Sequence, residues 1–204
     1  MKNLSITILI LLGLAACYPD GPDYAEDLDV VYTVHDEQYD FGAKNTFAMP
    51  DQIVTSVEIE DGDTVREFMN PIYATPILQE IQENMEAYGW TRVDVDEDPD
   101  LLLTPAGMSS TNYYYSYWYD WWYGGYWGWY GWYYPPYYTV SSYTTGTLLI
   151  VLSDPNQAAD NPINRSPALW LAAANGLLTY GYDLSRVSDA INQAFNQSQY
   201  LDTK

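Results

Sequence analysis

The sequence predicts one mixed α/β domain that carries a large aromatic insertion. Three observations lead there. Short β-branched or apolar runs, clearest at Val30–Val34, Leu101–Thr104 and Tyr143–Leu152, have the composition of strands. Two stretches, Ile77–Tyr88 and Ser185–Gln197, space apolar residues at helical intervals. Between the strand candidates at 101–104 and 143–152, Tyr113–Tyr138 reads YYYSYWYDWWYGGYWGWYGWYYPPYY, twelve Tyr and six Trp with Asp120 the only charge. Eighteen such rings, fully exposed, would present on the order of 3,000 Å², against ~300–600 Å² for the largest apolar patch of an ordinary monomer. The stretch must therefore lie against something.

At 204 residues the chain has room for one domain with appendages. Seven basic residues against 28 acidic ones, a formal charge of −21, exclude nucleic acid, which needs clustered Lys and Arg for its phosphates. The same balance excludes adhesion to an anionic membrane through a polybasic patch. Such acidity reads as a solvated surface that keeps an aromatic-rich chain soluble. Cysteine occurs once, at Cys17, so neither an intrachain disulfide nor a zinc cluster can form.

Met1–Ala16 has the plan of a secretory signal peptide: Lys2, then an apolar run from Leu4 to Leu14 too short to span a bilayer. Leu14-Ala15-Ala16-Cys17 resembles the lipobox of bacterial lipoproteins. Small Ala15 and Ala16 suit a signal-peptidase pocket, and only a cysteine offers a thiol for lipid at the cleavage point. The reading is lipidation at Cys17, with more than one acyl chain giving a stable anchor. Residues 17–29, rich in Pro, Gly and acid, form a flexible tether, and some twelve residues reach at most ~40 Å. No Asp directly follows Cys17, which favours the outer membrane, on either its periplasmic or its surface face. The folded part is expected over 30–200, with the insertion at about 108–140.

Within it, Thr46–Met49 is a short strand ended by Pro50, and Ile53–Glu67 reads as a hairpin turning at 60–63. In the first helix Thr75 caps, Pro76 occupies the first turn, Ile77, Ile81, Met85 and Tyr88 form the buried stripe, and Gly89 is the stop. Pro167–Ala174 fits helix by its alanines or strand by hairpin logic. The last helix carries Val187, Ile191, Ala194 and Phe195 on one stripe.

The acidic run Asp94–Asp100 fails as an EF-hand, because Pro99 and Pro105 fall where the loop needs Gly and Glu. A solvated loop is expected there, with no metal and no cofactor. His35 is the only histidine and no G-x-S-x-G elbow occurs, so nothing in the sequence points to a nucleophile–base–orienter set. Beside Asp36 and Glu37, His35 reads as a surface residue.

Taken together, these segments resemble the bacterial lipoproteins grouped as domain of unknown function 4136. The residues that carry the resemblance are YDF at 39–41 with NTFAM at 45–49, Tyr88-Gly89-Trp90, Asp98–Leu103, Gly146–Asp154, Leu169-Trp170 and the last helix. It covers roughly Val30–Phe195, and members also often carry a Tyr/Trp/Gly-rich insertion before the GTL strand. The resemblance implies a two-layer α/β (α+β) sandwich, a mainly antiparallel sheet with two helices on one face. It also makes 169–174 a strand. Three departures stand out: Met49 where a Trp is common, Val151 where an acid is common, and Leu171 and Ala172 where an Arg is usual. Any role of that acid–base pair is absent here.

The expected function is a non-enzymatic, lipid-anchored envelope protein. Its aromatic insertion would be a contact surface for glycan, lipid headgroup or envelope protein, built from Tyr117, Trp118, Trp121, Trp122, Tyr126, Trp127, Trp129 and Trp132. Two alternatives stand beside it. One is a glycan-active enzyme using a carboxylate pair ~5–9.5 Å apart. The other is a structural domain whose insertion packs on itself or its own sheet.

Overall fold

Apolar and β-branched runs supply one sheet, and two amphipathic helices cover one of its faces. The computed structural model describes residues 31–60, 63–108, 146–158, 168–178 and 183–204. The strands are β1 (Val31–His35), β2 (Thr46–Ala48), β3 (Val54–Glu60), β4 (Asp63–Phe68), β5 (Thr91–Arg92), β6 (Leu101–Met108), β7 (Thr147–Ser153) and β8 (Ala168–Ala174). The helices are α1 (Pro71–Ala87) and α2 (Leu184–Asn196).

The sheet runs β1-β8-β7-β6-β2-β5, and β3 joins β6 beyond β2 while β4 pairs only with β3. The long ladders β1–β8, β8–β7, β7–β6 and β3–β4 are antiparallel; the short contacts of β6 with β2 and β3, and of β2 with β5, are parallel. This is the mainly antiparallel two-layer sandwich expected. Every residue of β7 and β8 is buried, because both strands are central and apolar on both faces. That position decides Ala168–Ala174 in favour of strand: the alanines pack between neighbours on either side rather than along a helix.

Between sheet and helices lies the main core. Phe47, Leu101, Leu103, Ile150, Leu152 and Trp170 meet Ile77, Ile81 and Met85 of α1 and Val187, Ile191, Ala194 and Phe195 of α2. Trp170 is fully buried; its indole N–H donates to Ser198 Oγ at 2.9 Å and its ring lies 5.5 Å from that of Phe195. Ser198 in turn donates to Ala194 O at 2.8 Å and accepts from Tyr200 OH at 3.1 Å, so no polar tip in this corner is orphaned.

Two expectations are corrected. The first helix begins five residues earlier than Pro76, at Pro71, with Asn70 as cap: its Oδ1 accepts from Ile72 N at 3.0 Å. Pro71 takes the first helical position, where a missing N–H costs nothing, and Pro76 sits inside the helix. Pro76 removes only the bond to the carbonyl of Ile72, in the exposed first turn, which the packing of Ala74, Ile77 and Leu78 outweighs. His35 is not a surface residue: it is half-buried and stacked on Tyr200, ring centroids 3.5 Å apart and 18° from parallel. The partner lies far along the chain, in the 3-10 turn Gln199–Leu201.

Gly89 does stop α1. Its φ of +93° is a left-handed conformation, and an added Cβ would fall 2.7 Å from Thr203 Oγ1. The closeness is used: Thr203 N donates to Tyr88 O at 2.9 Å and Lys204 Nζ to Ala87 O at 2.7 Å, satisfying the last helix carbonyls.

Candidate functional site

Two places could carry function, and they lie at opposite ends of the same strands. The first is the base of the aromatic insertion. β6 and β7 pair without interruption from Leu102↔Ser153 to Met108↔Thr147, so the chain leaves the sheet and returns to it at adjacent positions. The base is tightly held. Thr147 is fully buried and donates through Oγ1 to Asn175 Oδ1 at 2.9 Å, and Leu178 N donates to Gly146 O at 2.9 Å. At Gly107 an added Cβ would meet Met69 Cε at 3.1 Å and Leu178 Cδ1 at 3.3 Å, so the strand is glycine where β3, β6 and the segment after β8 close on one another.

The second place is a polar cluster. Asp154, just past β7, keeps only 5% of its side chain exposed, accepts from Tyr39 OH at 2.8 Å and from Asn156 N at 2.8 Å, and pairs with Lys44 Nζ at 3.4 Å. Asp100, just before β6, lies 3.9 Å from the same ammonium. Its Oδ2 accepts from Asn45 N, Thr46 N and Thr46 Oγ1, each at 3.0 Å. Burial works to raise the pKa of Asp100, but these hydrogen bonds and Lys44 outweigh it and hold the carboxyl below the usual carboxylate range. Burial pushes the Tyr39 hydroxyl far above the usual phenol range, and the bond to Asp154 and nearby acids add to it.

Chemically this cluster is a clasp. A carboxylate held ionised by three donors is a poor general acid, and a phenol pinned to a carboxylate is a poor nucleophile. Among the described residues no group of three or more His, Cys, Asp and Glu is arranged to hold a metal. In the acidic loop, Asp94, Asp96, Glu97 and Asp98 are exposed, whereas Asp100 ties β2 to β6.

The face of the sheet away from the helices is a third feature. Leu102, Ala106, Leu149, Val151, Leu171 and Ala173 form a second apolar cluster there, each no more than 4% exposed. Val151 and Leu171 are register partners across β7 and β8. The two positions marked as departures from an acid and a neighbouring Arg are thus in contact, and they form an apolar pair.

Cys17 and the residues singled out in the insertion, Tyr117, Trp118, Trp121, Trp122, Tyr126, Trp127, Trp129 and Trp132, lie outside the described residues. So do the signal peptide and the tether. What sequence reasoning missed is the clasp. Tyr39, Asp100 and Asp154 each belong to a different segment of the resemblance, and their convergence across more than one hundred positions needs the fold.

An α+β sandwich with two helices on one sheet face and a hairpin opened into a long insertion defines the class of domain. The chain belongs to the DUF4136 family, a domain of unknown function, whose profile matches residues 31–198. The crystal structure of a DUF4136 family protein from Bacteroides thetaiotaomicron VPI-5482 is 31% identical, with a TM-score of 0.66 over 86% of this chain and 98% of that one. The PelC L103M dodecamer from Paraburkholderia phytofirmans is more distant, 11% identical with a TM-score of 0.41, at 86% and 98% coverage. No curated protein sequence matches the chain.

Proposed function

We propose that this protein is a non-enzymatic, lipid-anchored component of the bacterial cell envelope, held in the outer membrane through Cys17, whose aromatic insertion is its contact surface. One observation carries the reading: β6 and β7 register up to Met108↔Thr147, so the stretch with eighteen rings is inserted between two paired core strands. A rigid mount for an otherwise ill-matched segment is what a binding surface requires. Tyr and Trp present apolar bodies with polar tips, which suits sugar rings, lipid headgroups or a protein surface. The absence of charge in the segment apart from Asp120 points away from ionic recognition.

A second reading is favoured by the sheet's outer face. Its apolar cluster is buried although α1 and α2 contribute to the other core. That suits an insertion packed on its own sheet. Deleting Asn112–Tyr138 separates the two. The contact-surface reading expects a folded domain of near wild-type stability that no longer captures peptidoglycan or envelope proteins. Large loss of stability, or unchanged capture, would overturn it.

A further inference from the structure

Among the described residues, three strands of the sheet pair on one side only: β1, β4 and β5. A bare edge invites another strand, and proteins blunt it with charge, brevity or cover. β4 reads DTVREF and carries Asp63, Arg66 and Glu67, while β5 is only two residues long, one of them Arg92. β1 reads VYTVH, five residues without Asp, Glu, Lys, Arg or Pro, in a chain whose formal charge is −21. On it Tyr32 is 45% exposed.

One bond fixes the direction of the β1 backbone. Asp36 N donates to Leu169 O at 2.8 Å, in step with a β1–β8 register that runs unbroken from Val31↔Ala174 to His35↔Trp170. In an antiparallel ladder such bonded residues alternate with residues whose N–H and C=O point the other way. Tyr32 and Val34 therefore bond β8, and the backbone groups of Val31 and Thr33 point out of the sheet. The side chains alternate as well. Val34 packs on the outer apolar cluster and Tyr32 pairs with Ala173 of that cluster, whereas Thr33 turns to the helix layer, its Oγ1 donating to Gln197 Oε1 at 3.4 Å.

We propose that β1 is a self-association edge whose partner is β1 of a second copy of this chain, antiparallel about a two-fold axis through Thr33. An axis normal to the sheet relates two antiparallel copies and pairs outward-pointing residues only with outward-pointing ones. Centred on Thr33, it brings the outward N–H and C=O of that residue onto those of Thr33 in the other copy. Tyr32 then falls opposite Val34, an aromatic–β-branched pair at the closely spaced positions where side chains touch. This register overlaps the whole strand and sets no charge against another. Moving the centre to Val34 would set Tyr32 against Asp36. A five-residue ladder buries less than the ~1,200 Å² at which stable interfaces begin, so the association is weak and depends on concentration. It stands apart from whatever the aromatic segment touches.

The test joins sedimentation equilibrium of the full chain, in density-matched detergent, to residue-resolved hydrogen exchange. A monomer–dimer equilibrium is expected, and added salt should raise the dimer fraction because each copy carries −21. The Thr33 amide should exchange severalfold more slowly as concentration rises, while the Tyr32 and Val34 amides, already bonded to β8, should not change. Thr33→Pro removes the outward donor at a site where an edge strand tolerates proline, and should weaken association about tenfold. Tyr32→Lys sets a charge on the open edge and should weaken it severalfold with the thermal midpoint of the monomer near wild type. A chain still monomeric at about 0.1 mM in high salt would overturn the proposal, whatever else binds that edge. So would a dimer that salt dissociates, one that survives both substitutions, or a Thr33 amide whose exchange ignores concentration.

Discussion

The two ends of the sheet are built on opposite principles. At one end Tyr39, Lys44, Asp100 and Asp154 form a saturated polar clasp, in which charges are paired and donors face acceptors. At the other end the strands close on Gly107 and Thr147 and open into a segment almost without charge. A polar knot can be completed within the chain because each partner is a side chain or a backbone amide. Eighteen rings tipped with OH and NH are far harder to satisfy internally. The difference teaches that the clasp serves the fold, whereas the aromatic end is where the contact surface is proposed.

The sharpest way to break that division is Asp154→Ala. It leaves Lys44 and the Tyr39 hydroxyl facing a void, and removing one partner of a mostly buried pair costs about 2–3 kcal/mol at this partial exposure. Denaturant titration should show it, with envelope capture of the folded protein unchanged; a loss below about 0.5 kcal/mol would show that the clasp does not hold the domain together.

Tyr39→Phe is the intermediate case. Removing one donor from Asp154 should cost about 1 kcal/mol at neutral pH. The sign with pH follows from the raised pKa. The unfolded phenol ionises near pH ~10 and the folded one only well above it, so the stabilisation is complete below ~10 and is lost as pH rises further. The gap between wild type and Tyr39→Phe should therefore shrink on the alkaline limb and stay constant below it. A gap that grew with pH would contradict the assignment.

Gly107→Ala gives the smallest effect and probes the aromatic end. Its Cβ would press on the flexible ends of Met69 and Leu178, a cost of ~1 kcal/mol that the ~0.5–1 kcal/mol gained by replacing a strand glycine largely offsets. Stability within about 0.5 kcal/mol of wild type is expected. A loss above ~2 kcal/mol would mean that the base of the insertion has no room to give.

Much of the fold was legible. The hairpin over 53–67, the strand beginning at Leu101, the strand ending in Leu152 and the final helix all follow from period and composition, and the structure places them within a few residues. The start of α1 was not, since Thr75-Pro76 and Asn70-Pro71 carry the same capping signal and only the burial of Ala74 separates them. Nor was the stacking of His35 on Tyr200, which local context, Asp36 and Glu37, points away from. Of the candidate site, the aromatic run announces itself by composition. Its mounting does not.

By itself the sequence determined most of the strands and both helices, that no cysteine metal cluster can form, and that one stretch carries far more ring surface than an ordinary monomer exposes. These follow from period, residue type and count, which are local properties. Only the tertiary structure decided that Tyr39, Asp100 and Asp154 meet, that Val151 faces Leu171, and that Val31 and Gly107 lie in one row. Those facts depend on strand order and register, and register is set by how two buried faces pack at once, which no single segment records.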